Sequence, residues 1–99
     1  MTPALQLLQI PVQEKPRLST QCERILRELE YRKSMVESGH MGPAFAWCPL
    51  PVILSLQIAS HTRRIYELRQ AGYVIEMRNE WQGRQRRTAY RLVARPEGE

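Results

Sequence analysis

Apolar positions recur at helical spacing early in the chain. Cys22, Ile25, Leu26, Leu29 and Val36 fall on one face of a 3.6-residue period, and Arg24, Arg27, Glu28 and Arg32 lie off it. The pattern predicts a helix over 20–38, stopped by Gly39. Thr20-Gln-Cys-Glu23 fits a capping box at its start, with the Thr20 hydroxyl taking the Glu23 amide. A Gly- and Pro-rich loop follows over 39–51, in which Phe45 and Trp47 are expected to anchor on the core. Pro51 suits the first turn of a short helix with Val52, Ile53 and Leu56 as its apolar face. A tight turn over 57–60 then points Ile58 inward, and Ser60 is expected to cap a third helix over 61–71, ended by Gly72.

After Gly72 the period drops to two. Residues 73–78 and 87–93 read as strands, joined by a polar, glycine-bearing connection over 79–86. Ile75, Tyr90 and Leu92 are the positions expected to face the core. Three prolines at 3, 11 and 16 break any helix before residue 18, so the start reads as an arm. The expected organisation is an N-terminal arm at 1–18, one domain at 19–94 and a short tail at 95–99. Ninety-nine residues suffice for one modest core. Apolar residues at 42% and charged residues at 25% are globular values. The longest apolar run, Ala44 to Leu54, has 11 residues and two prolines, too few for a membrane span of about 20 residues. No secretory signal is visible, and two cysteines make no disulfide scaffold, so a cytoplasmic location is expected.

Charge sharpens the picture. The chain carries 15 Lys and Arg against 10 Asp and Glu, a net of +5. Nine of those cations, all arginine, lie in 60–95 against three glutamates. The arginine fork suits phosphates and base edges, so an acidic partner, above all nucleic acid, is expected.

Helix, short helix, tight turn, helix and two-stranded hairpin is the order of an α+β winged helix-turn-helix, with the hairpin as the wing. The segment around Arg64, Ile65, Glu67, Leu68, Arg69, Gly72, Tyr73 and Ile75 resembles the small helix-turn-helix domains of phage and prophage proteins. In those, a helix ending Arg-Ile-x-Glu-Leu-Arg-x-x-Gly-Tyr-x-Ile precedes a wing. The resemblance spans about residues 20–93 and implies a DNA-binding winged helix. The loop at 39–51 departs from it, because the family has a brief turn there.

Helix geometry nominates the contacts. Ile65, Leu68, His61 and Gly72 share the core side; Arg63, Tyr66, Glu67 and Gln70 fall opposite. Arg63 and Gln70 can present donors to base edges, and Tyr66 can reach a phosphate or a thymine methyl. Ser60 and Thr62 sit where helix amides favour a phosphate. Arg84, Arg86 and Arg87 cluster in the wing and could enter a minor groove, or simply protect an exposed hairpin from edge pairing. Arg69 lies nearer the core face and either pairs with a nearby carboxylate or contacts DNA, and Trp81 either stacks on nucleic acid or packs on the hairpin.

Other chemistry finds little support. Cys22, His40, Cys48 and His61 lack the close cysteine spacing of structural zinc sites, and Cys22 reads as a packed thiol. No phosphate loop, catalytic triad or carboxylate pair stands out, so no enzyme activity, cofactor or small-molecule substrate is expected. The expected partner is double-stranded DNA, with the apolar Leu5, Leu7, Leu8 and Ile10 of the arm suggesting a homodimer. The rival reading is a winged-helix adaptor or inhibitor whose arginines meet an acidic protein surface.

Overall fold

A computed structural model describes residues 18–96; the rest of the expected arm and tail, with Leu5 to Ile10, lies outside the described residues. Helix α1 (Thr20–Glu37) buries Cys22, Ile25, Leu26 and Leu29, the face its periodicity defines. Its cap sits one residue earlier than expected. Ser19, not Thr20, is the N-cap: its hydroxyl accepts from the Cys22 amide at 3.1 Å. Adjacent hydroxyl residues make such one-residue shifts easy, because either can present an oxygen to the first turn. Gly39 follows the helix at φ +83°, as the stop signal requires.

The loop after α1 is more structured than its composition suggests. It contains a 3₁₀ turn (Pro43–Ala46) and a two-residue strand β1 (Cys48–Pro49). Cys48 and Ala46 are its buried residues, whereas Phe45 and Trp47 are only half-buried. These two rings are held by cations instead. Arg32 lies 4.6 Å over Phe45, and Trp47 is flanked by Arg78 at 4.5 Å and Arg91 at 4.6 Å.

Helix α2 (Leu50–Ser55), with proline in its first turn, buries Ile53. Helix α3 (His61–Gln70) buries Ile65 and Leu68. The turn between them is tight: Gln57 at φ +61° and Ser60 at φ +53° are both left-handed without being glycine. Helix α1 braces this turn, since the Gln21 side chain accepts from the Ala59 amide at 3.0 Å and Arg24 donates to the Leu56 carbonyl at 3.4 Å. Ser60 is the N-cap position of α3, yet its side chain makes no capping bond, because its left-handed backbone differs from the extended conformation a capping hydroxyl uses.

Strands β2 (Val74–Gln82) and β3 (Gln85–Ala94) pair antiparallel and are longer than the sequence suggested. The segment 79–86, expected as a loop, continues the ladder to the Gln82–Gln85 pair, leaving Gly83 and Arg84 as the turn. Strand β1 pairs with β3, placing Cys48 opposite Tyr90, so the sheet is three-stranded in the order β1–β3–β2 rather than a bare hairpin. Ile75, Tyr90 and Leu92 face the core as expected. Together with Ile25, Leu29, Ile53, Ile58, Ile65 and Leu68 they form one hydrophobic cluster. The fold is an α+β winged helix-turn-helix.

Candidate nucleic-acid interface

The exposed side of α3 follows from which residues the core takes. With Ile65 and Leu68 buried, Thr62, Arg63, Tyr66 and Gln70 are exposed on the helix, as is Ser60 at its N-cap. Tyr66 keeps 60% of its surface in solvent. Gln70 also rims a cleft of about 320 Å³ lined by Ser19, Cys22, Arg64 and Glu67.

Glu67 departs from the expected row. It is half-buried and turned toward α1, where the Cys22 thiol donates to its Oε1 at 3.2 Å and Arg64 Nη1 lies 3.2 Å from the same oxygen. Arg63 Nε approaches the other oxygen at 3.5 Å. The thiol bond and the Arg64 and Arg63 charges hold its carboxyl below the usual range despite partial desolvation. Burial raises the Cys22 thiol, so it stays protonated and acts as a donor. Arg64 Nη1 also reaches the Ser19 hydroxyl at 3.4 Å, which ties α3 to the start of α1. Arg69 is structural too, but its partner is a carbonyl rather than a carboxylate. Its Nη2 and Nε donate to the Ile75 oxygen at 2.8 and 3.2 Å, fastening the end of α3 to β2.

The wing carries the remaining candidates. Arg84 occupies the turn, Arg86 pairs across the ladder with Trp81, and Arg87 with Glu80. Neighbouring strand residues point to opposite faces, so Arg86 and Arg87 do not act as one cluster. Arg86 shares the face of Tyr90, on the side where His61 of α3 meets the Tyr90 ring edge-on at 6.1 Å. Arg87 shares the opposite face with Arg91, which is paired with Glu76. Trp81, on the helix-bearing face, is 67% exposed and does not fold back. The sequence already marks this ring as exposed unless the wing folds back; what it leaves out is the ring's place on a strand, because the ladder runs on past residue 78.

Electrostatics separate structural from uncommitted arginines. Glu67, Glu76 and Glu80 are all engaged, the last by Arg78 at 3.0 Å. Arg95 pairs with Glu30 at 3.1 Å. Arg84, Arg86 and Arg87 have no carboxylate within ion-pair distance among the described residues. No group of three or more His, Cys, Asp or Glu among the described residues could hold a metal ion, and no described helix is long and apolar enough to cross a membrane.

Residues 52–95 match a family model described as a winged helix-turn-helix domain. The match covers α2, α3, the turn between them and the whole wing, a little under half of the chain. It agrees with the architecture and suggests DNA binding in general terms. No curated protein and no solved structure matches the chain.

Proposed function

We propose that this chain is a DNA-binding winged-helix protein of phage or mobile-element type, with the domain at 19–94 acting as a regulator, an excisionase-like factor or a replication accessory. It would work in the cytoplasm by binding alone, with no catalytic step or cofactor. In this reading α3 enters the major groove. Arg63 and Gln70 address base edges, Tyr66 a phosphate or thymine methyl, and Ser60 and Thr62 a phosphate near the helix start. The wing lies along the backbone or minor groove with Arg84, Arg86 and Arg87. The phage-type assignment rests on the Arg64–Ile75 string alone.

The observation that carries the reading is the uncompensated charge. Within 60–95, the arginines that meet neither a carboxylate nor a backbone carbonyl among the described residues are Arg84, Arg86 and Arg87, all in the wing, beside a helix whose exposed side is polar and cationic. The test is fluorescence anisotropy with a labelled random duplex at rising salt. A binder using the three wing arginines on phosphates loses affinity with a log–log slope of about −2 to −3. A flat salt response, or no binding at low salt, rejects the DNA reading and favours an acidic protein surface as the partner.

A further inference from the structure

We propose that the open edge of β2 pairs antiparallel with β2 of a second copy of this chain, with Asn79 opposite its own counterpart. Three observations carry it. First, β2 is an edge strand that pairs only with β3 among the described residues, and its register is regular from Ile75 to Gln82. It contains neither proline nor glycine, the residues that most simply discourage pairing at an edge. Second, it presents apolar surface: Met77 is 51% and Trp81 67% exposed, both on the helix-bearing face. Third, its charge pattern is self-complementary in one way. With the two-fold axis at Asn79, Arg78 faces Glu80 of the second copy and Met77 faces Trp81, each pairing occurring twice.

Neighbouring registers are worse. An axis at Arg78 sets Arg78 against itself and Glu76 against Glu80. An axis at Glu80 sets two glutamates together. An axis at Met77 pairs Glu76 with Arg78 but leaves Trp81 beyond the paired segment. Opposite charges and apolar pairs placed directly across a ladder are stabilising, and like charges are not. The partner that this pattern fits is therefore a second copy of the chain.

The axis stands normal to the sheet, so both copies of α3 lie on one face of a six-stranded sheet. Ile75 then faces Gly83, which separates the two Ile75 positions by about 26 Å along the strands at about 3.3 Å per residue. That is comparable with the roughly 34 Å between half-sites one DNA turn apart. This last correspondence rests on the DNA reading; the pairing itself does not.

The test is sedimentation equilibrium of the full chain without DNA, with circular dichroism melts to show that each variant is folded. The wild type should dimerise at micromolar to sub-millimolar concentration. Arg78→Glu and Glu80→Arg each place like charges across the axis and should raise the dimer dissociation constant about tenfold or more, and the double swap should restore it to within about threefold. Because Arg78 also covers Trp47 and pairs with Glu80 of its own chain, Met77→Lys provides a variant that leaves both contacts alone. A monomer throughout, or a dimer indifferent to all β2 variants, overturns the proposal. So does a dimer lost through Leu7→Ser with Leu8→Ser but kept in the β2 variants, which assigns the contact to the arm. Loss of DNA binding with the β2 dimer retained counts against the DNA reading alone.

Discussion

Leu68→Ala tests the helix assignment on which the interface depends. Leu68 is fully buried in the cluster that contains Ile65 and Leu29, and its carbonyl accepts from the Tyr73 amide at the end of α3. Truncation removes three carbons, at about 0.8 kcal/mol each, or about 2.4 kcal/mol of lost transfer free energy. A residual void of about 50 Å³ adds about 1 kcal/mol at about 24 cal/mol per Å³. The expected cost is about 3–4 kcal/mol, a large part of the roughly 5–15 kcal/mol that holds a small domain folded. Urea denaturation followed by circular dichroism reads it. With an m-value of about 1–1.5 kcal/mol/M, the midpoint should fall by about 2–4 M. Leu54→Ala is the control, because Leu54 is 49% exposed and its loss should cost about 1 kcal/mol or less. Equal midpoints for Leu68→Ala and wild type would mean that α3 is rotated about its axis. The exposed row Thr62, Arg63, Tyr66 and Gln70 would fall with it.

Arg63→Ala should cost about 1–3 kcal/mol on a preferred DNA site and relax the choice of one base in a binding-site selection. Equal losses on specific and random duplexes would reduce Arg63 to a phosphate contact, and no loss would remove it from the interface. Arg86→Ala should weaken duplex binding and lower the salt slope by about 0.9, whereas Arg87→Ala, on the opposite face of the wing, should change both less. Identical effects would show that DNA meets the wing edge-on. Burial pushes the Cys48 thiol from 9.0 up to about 11. The folded state therefore holds its proton longer than the unfolded chain does. The associated stability is complete below about pH 9 and is lost as pH rises through about 11, by up to about 2–3 kcal/mol. Urea midpoints of wild type and Cys48→Ala should converge over that window; parallel curves would contradict the burial argument.

The parts of this fold that could be read in the sequence are those where a core imposes a period. The α1 stripe, the Ile65–Leu68 face and the inward Ile75, Tyr90 and Leu92 all bury against one cluster, so their spacing records it. The outer wing has no such imprint. Beyond Ile75 every residue of β2 is exposed, hence 79–82 show no apolar alternation and resemble a loop. Strand β1 is two residues long and half proline, below anything a pattern can reveal. On α3, angular position was enough to place Arg63 and Tyr66 on the exposed side. It failed for Glu67, because the groups that turn that carboxylate inward, Cys22 and Arg64, include one on another helix. Contacts between elements far apart in sequence leave no local periodicity.

The same limit governs how net charge is interpreted. Nine arginines in 60–95 suggest a broad basic face. Yet Arg64 braces α1, Arg69 holds the Ile75 carbonyl, and Arg78 and Arg91 both lie against the Trp47 ring. Trp47 belongs to the 39–51 loop, the segment that departs from the resembled family. The loop adds β1 to the sheet and sets Trp47 beside it, on the face away from the core. A tryptophan so placed is half-exposed, and two guanidinium planes cover it more cheaply than a new apolar layer would. Part of the basic composition is thus explained by packing, before any partner is considered. What remains for an acidic partner is narrower: Arg63, loosely paired with Glu67, and Arg84, Arg86 and Arg87 of the wing, themselves divided between two faces. A small, two-part cationic surface of this kind limits what one copy can grip, which is why a second copy aligned through β2 would matter to the function proposed for α3.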